Sequence, residues 1–418
     1  MPTPGSAKPV AVSPRERLVG ACITAAGGVA IASLTLLPAA VSRAGAETAE
    51  FWCIRCGTFG GVDALLNTLL FLPLGLGLGL RGWRPSRALL AIGALTVAVE
   101  ALQLWAIPGR DASLSDIVTN TLGGSLGWLL AGQWRHLLFP SPSLARRLGV
   151  AALLLWVASR LATAWLLVPS LTDSNWFAQL APRGVYPADF SEPLQEVLIG
   201  GEATPDGSMW RRSRAALESE HSATATFHSP RPSAALASIV SVQDQRFREL
   251  LLLGQEGADA RFRFRLRAAD ARLRVPSVRL RGAFTGASPD LVRLHGESTD
   301  GRLRLTVESA AGRRTETLDL SAGLTWSLVL PLDAGLGPEA RTVTALVTGA
   351  ALFVVLAFLA CGGYALPALT AITLTGISVG LLLPPLLVAV PPASLLEWAG
   401  AVCGASLASI IFRRRSRR

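Results

Sequence analysis

Six polar side chains stand out because the sequence around them is apolar: Asn67, Glu100, Gln103, Arg110, Asp116 and Asn120, all within Asp63–Leu130. A charge inside a hydrocarbon layer costs about a few kcal/mol or more, so such groups persist where they face one another, a cavity or backbone carbonyls. Glu100 and Gln103 are three apart and Asp116 and Asn120 four apart, so on helices each pair shares a face. The short stretch Pro108–Ser115 brings those two faces together, and Asn67 lies one turn into the preceding apolar run. The spacing predicts a polar cluster just below one membrane surface. Its chemistry has two readings. One is a set of intramembrane hydrogen bonds that fixes helix packing. In the other, Arg110 holds a phosphate or carboxylate, and Glu100 or Asp116 carries a proton or acts as general base.

The elements that must position these groups follow from composition. The chain has 418 residues, 50% hydrophobic and 16% charged, with a mean hydropathy of +0.43, whereas soluble proteins carry about a quarter charged residues. A disordered chain and a simple soluble enzyme are excluded. A membrane span needs about 20 mostly apolar residues, and eight runs qualify: Leu18–Val41, Asp63–Leu80, Ala88–Ile107, Asp116–Trp134, Leu148–Val168, Thr342–Cys361, Leu366–Val390 and Leu395–Phe412. In the seventh, Pro384, Pro385, Pro391 and Pro392 are expected to break the helical ladder. Gly75, Gly77, Gly79, Gly123, Gly124 and Gly127 are expected to let helices approach closely.

Charge sets the orientation. The net charge is +10, and Lys8 is the only lysine. Residues 170–340 hold 20 Arg against 21 Asp and Glu, so the whole excess flanks the apolar runs. Basic residues cluster before the first run, at Arg81, Arg84 and Arg87, at Arg135, Arg146 and Arg147, and at the C-terminus from Arg413 to Arg418. With eight spans all of these fall on one side, which the positive-inside rule makes cytoplasmic. The first run reads as an uncleaved span rather than a signal peptide. The expected division is a cytoplasmic tail (1–17), a five-helix membrane domain (18–169), an extracytoplasmic domain (170–340), three further membrane helices (341–412) and a cytoplasmic basic tail (413–418). This makes a multi-pass protein of the inner (plasma) membrane with both termini cytoplasmic. Its partner is the lipid bilayer, and nucleic-acid binding is not expected.

Residues 170–340 show short β-rich runs between Gly, Pro and Asp turns: Ala223–Phe227, Ala237–Val242, Arg248–Leu253, Ala260–Leu266, Arg302–Val307 and Thr315–Leu320. In Arg261–Arg267 the alternation is strict, with Phe262, Phe264 and Leu266 on one side and arginines on a solvated outer face. Many short strands point to an antiparallel β-sandwich. The stretch Ala237–Leu266 resembles the laminin-G/concanavalin-A-like superfamily, which implies a jelly roll of a kind that often binds sugars or proteins. No cysteine lies in this region.

The order Asn67-x3-Phe71-x-Pro73-x-Gly75, Glu100-x2-Gln103, Arg110, Asp116-x3-Asn120-x2-Gly123-Gly124 resembles the VanZ-like family of membrane proteins, associated with teicoplanin resistance. The resemblance covers about 70 residues. It implies that the family's characteristic polar positions fall on Asn67, Glu100, Gln103, Arg110, Asp116 and Asn120, with Pro73 and Gly75 shaping the helix. The sandwich and the three further spans depart from short family members.

Arg160, inside the fifth run, needs a buried partner, with Glu100 or Asp116 as candidates. Cys53 and Cys56 form a C-x2-C in the first external loop, suited to a local disulfide or to redox or intersubunit pairing. The other cysteines lie in apolar runs, so no metal site is expected. No cofactor is expected either, since no P-loop, dinucleotide fingerprint, G-x-S-x-G or H-E-x-x-H occurs. The preferred function is non-catalytic recognition of a glycan, glycopeptide or lipid-linked envelope precursor. The alternatives are a membrane enzyme acting on a lipid-linked substrate through Glu100, Arg110 and Asp116, and an adhesion or scaffold protein acting through the sandwich.

Overall fold

The computed structural model describes residues 12–37, 52, 59–107, 112–208, 211–284, 286, 288–330, 338–361, 364 and 366–415. A long helix forms at each of the eight apolar runs: α1 (Pro14–Thr35), α2 (Gly60–Leu80), α3 (Pro85–Ala106), α4 (Leu114–Leu138), α5 (Pro142–Leu166), α7 (Pro338–Cys361), α8 (Leu366–Leu387) and α9 (Leu395–Arg415). Six of them, all but α4 and α9, are long and apolar enough to cross a membrane. The chain forms two compact units, 1–140 and 141–418.

In the first unit, α1 starts in a capping box. The Ser13 N–H donates to Glu16 Oε2 (2.8 Å), and the Glu16 N–H donates to Ser13 Oγ (3.3 Å). Glu16 also accepts from Arg135 Nε and Nη2 and from Trp134 Nε1, which ties the start of α1 to the last turn of α4. Helices α2 and α4 pack backbone to backbone. A Cβ on Gly75 would collide with the Gly124 carbonyl, one on Gly123 with the Thr68 carbonyl and one on Gly127 with the Leu72 carbonyl. Ile31, Phe71, Leu74, Leu78, Ile92 and Val99 fill the remaining core.

The second unit joins α5, α7, α8 and α9 to two antiparallel six-stranded sheets that share one core. The first sheet runs β4 (Gly207–Ser208), β1 (Trp176–Leu180), β6 (Ala237–Asp244), β7 (Glu249–Glu256), β8 (Asp259–Phe264), β9 (Val278–Leu280). The second runs β12 (Gly312–Asp319), β11 (Arg302–Ser309), β10 (Ser288–Thr299), β5 (Ser222–Ser229), β2 (Leu194–Ile199), β3 (Glu202–Ala203). A short helix, α6 (Arg211–Ser219), precedes β5. Phe262 and Phe264 are fully buried between the sheets, as their alternation demands.

The solvated arginine face needs correction. Arg261 and Arg265 are buried, because each folds onto a carboxylate: Arg261 pairs with Glu256 (2.9 Å) and Arg265 with Asp270 (2.6 Å). The expected break at Pro384 also shifts. Helix α8 carries Pro384 and Pro385 in its last turn and ends at Leu387, because a proline perturbs the turn before it and the ladder runs out only beyond it.

The β6–β7 hairpin is held by Asp244. Its buried carboxylate accepts from the N–H of Arg246 (2.9 Å), the N–H of Arg248 (3.0 Å) and Arg248 Nε (2.7 Å). Burial pushes this carboxyl up, but the guanidinium and N–H donors outweigh burial and hold it down at about 2. The folded value lies below the ordinary 3.8, so the stabilisation is complete above about pH 4 and is lost as pH falls toward 2. Melting midpoints of wild type and Asp244→Asn should therefore converge between about pH 5 and 2; a gap independent of pH would contradict this.

Candidate functional site

The site lies where α3 ends and α4 begins. Ser113 caps α4, its hydroxyl accepting from the Asp116 N–H (3.1 Å). The Ser113 N–H in turn donates to Glu100 Oε2 (2.9 Å). Asn67 reaches across from α2, its Nδ2 donating to Asp116 Oδ1 (2.8 Å). One hydrogen-bonded chain, Asn67–Asp116–Ser113–Glu100, passing through the backbone N–H groups of Asp116 and Ser113, thus links three helices. The first-turn position of Asp116 also places a carboxylate at the positive end of the α4 dipole.

The other two expected members sit apart from that chain. Gln103 Nε2 donates to the Thr35 carbonyl at the end of α1 (2.9 Å). Asn120 Nδ2 donates to Thr96 Oγ1 (2.9 Å), one turn deeper. Together the five bonds fasten all four helices of the unit. Glu100, Gln103, Thr96 and Asn120 are buried, and Asn67 and Asp116 are half-buried. Asn120 Oδ1 is buried with no hydrogen-bond partner among the described residues. Arg110, Cys53 and Cys56 lie outside the described residues.

Three partners escaped the sequence reading. Thr96 stands four residues before Glu100 and so on its face, and Ser113-x-x-Asp116 has the spacing of an N-cap with an acidic third position. Both signals were present. Thr35 acts through its carbonyl, which no side-chain pattern could reveal.

Chemically, the arrangement presents a half-buried carboxylate beside a buried one, and neither has a cationic partner among the described residues. It can accept hydrogen bonds from amides, hydroxyls or an ammonium group. No group of three or more metal-binding side chains occurs among the described residues.

The second unit holds a separate buried ion pair. Arg160 Nη1 lies 2.6 Å from Glu397 Oε1, both side chains almost fully buried. Arg160 Nε donates to the Gly380 carbonyl of α8 (2.6 Å), and its guanidinium lies 5.5 Å from the Trp156 ring centroid. The partner is therefore Glu397, not Glu100 or Asp116, because α5 packs with α7 and α8 inside the second unit. Gly323 closes over the pair, where a Cβ would collide with the Glu397 carboxylate.

No curated protein and no solved structure matches the chain. Residues 23–135 match the family model VanZ/LLP1, so the helical unit that carries Asn67, Glu100, Gln103, Asp116 and Asn120 is a VanZ-like domain.

Proposed function

We propose that this chain is a cell-envelope membrane protein whose VanZ-like domain recognises a glycan, glycopeptide or lipid-linked envelope precursor. The observation that carries this reading is the Asn67–Asp116–Ser113–Glu100 chain. Three helices converge to hold two carboxylates near one end of the bundle, where packing alone would be served by uncharged side chains. Arg110, four residues after Ala106 closes α3, stands in sequence where it could meet an anionic group of the same ligand. The family's association with glycopeptide resistance supports a glycopeptide or its target as that ligand. In this reading all eight long helices span the inner membrane, and both termini are cytoplasmic with the basic clusters. The sandwich is then extracytoplasmic and lectin-like, and adds contacts to a sugar.

The test uses the full-length protein in lipid nanodiscs, with a fluorescent teicoplanin-type glycopeptide and a lipid-linked disaccharide-peptide precursor as probes. Binding of one probe is expected, with Glu100→Gln and Asp116→Asn each weakening it about tenfold or more, roughly 1.4 kcal/mol. Absence of binding to either probe, or binding indifferent to both substitutions, would overturn the reading. Conversion of the precursor by wild type but not by Glu100→Gln would replace recognition with catalysis by this carboxylate pair.

A further inference from the structure

The end of the sandwich that adjoins α5 carries an exposed aromatic side chain in an unusual place. Phe247, in the β6–β7 hairpin, has φ +55° and is 75% exposed. Turns that need a left-handed residue normally use Gly, Asn or Asp, and a bulky residue there is an outlier that must be over-determined by its surroundings. The surroundings do this: Asp244, fully buried, binds the N–H groups on both sides of the phenylalanine and the Arg248 guanidinium. The only ring against Phe247 among the described residues is Phe177, edge-on at 6.0 Å.

Hydrogen bonds fix which end of the sandwich this is. The chain leaving α5 runs along the ends of β8, β7 and β6 before entering β1. The Arg267 N–H donates to the Val168 carbonyl (3.0 Å), the Ser170 N–H to the Arg265 carbonyl (3.1 Å), and Ser174 Oγ to Asp244 Oδ2 (3.1 Å). Trp165, in the last turn of α5, lies under the Arg267 guanidinium, 5.1 Å from it, an aromatic at the level where such rings mark a membrane–water interface. The opposite end is equally defined, since Ala188 pairs with Ala237 at the far end of β6. It too carries an exposed apolar residue, Val185 at 52%.

We propose that the Asp244–Arg248 hairpin is a lipid-contacting finger: Phe247 enters the headgroup layer around the C-terminal end of α5, and Arg246 meets lipid phosphate. Continuity with the interface marked by Trp165 and Arg267 favours lipid over a protein partner. The local charges fit it. Arg248 is neutralised by Asp244, Arg214 by Glu218 and Arg265 by Asp270, and Asp173 is an exposed acid. Arg246 is exposed and has no ionic partner among the described residues.

The native full-length chain, in nanodiscs containing a lipid with a photoactivatable group near its phosphate, tests this by mass spectrometry. Adducts are expected on 244–248 and on the end of α5, but not on the 181–190 loop. Arg246→Glu should lower the hairpin yield several-fold. No adduct on 244–248 while the end of α5 is labelled would overturn the proposal, as would equal labelling of the 181–190 loop. An undiminished yield in Arg246→Glu would remove the phosphate contact.

Discussion

Arg160→Ala should destabilise the second unit by about 3–5 kcal/mol, because it leaves Glu397 charged, buried and without its partner. The geometry allows little relief. Glu397 sits in the first turn of α9 beneath Gly323, both carboxylate oxygens are sealed from solvent, and Arg160 Nη1 at 2.6 Å is its ionic partner. Glu397→Ala should cost a similar amount by stranding the guanidinium. The double variant Arg160→Met/Glu397→Leu should recover most of the loss, since removing both charges also removes their desolvation. Denaturant unfolding in mixed micelles measures all three. Single-variant losses below about 1 kcal/mol, or a double variant no better than the singles, would show that the pair is not what holds α5, α8 and α9 together.

The second large effect is expected in the α2–α4 seam. Gly127→Leu should exceed the roughly 1–3 kcal/mol usual for overpacking, because the new side chain meets the Leu72 carbonyl and the Leu76 amide, backbone atoms with no rotamer to escape into. Separation of the two helices would also pull Asn67 from Asp116, so the substitution should abolish any ligand binding that depends on that pair. Gly132→Ala supplies the contrast. It lies on the same helix with nothing within 4 Å of the new Cβ, and should be neutral or stabilising by about 0.5–1 kcal/mol, the helix cost of glycine. Equal effects of the two substitutions in thermal unfolding of the full-length protein would refute the close approach.

Both effects rest on features of unequal visibility in the sequence. The seam was legible, since glycines at helical spacing inside two apolar runs have few other uses. So was the link between Asn67, Glu100 and Asp116, because a costly group in an apolar run predicts a partner. The partner of Arg160 was not found, although Glu397 is the only acidic residue after Glu339. A charge scan across both helical regions would have named it. Strand β10 escaped for a different reason. Pro289 and Gly296 interrupt its alternation, and Gly296 is required because the Phe262 ring lies where a Cβ would go. That demand comes from the opposite sheet and leaves no local trace. The buried state of Arg261 and Arg265 was likewise hidden, since alternation shows which face a residue takes but not what covers that face.

The separation between Arg160 and Glu397 has a consequence for biosynthesis. A ribosome adds about 5–20 residues per second, so α5 emerges on the order of 10–50 s before the carboxylate that neutralises it. Throughout that interval the entire sandwich is synthesised while a lone guanidinium waits near the end of a lipid-bound helix. Arg160 lies six residues from that end, about 9 Å along the axis, within reach of water and lipid phosphates for a long side chain. The nascent helix can therefore be held with its arginine turned to the surface, and the arrival of α9 draws that arginine inward. The last hairpin to be synthesised thus completes a helix inserted near the middle of translation.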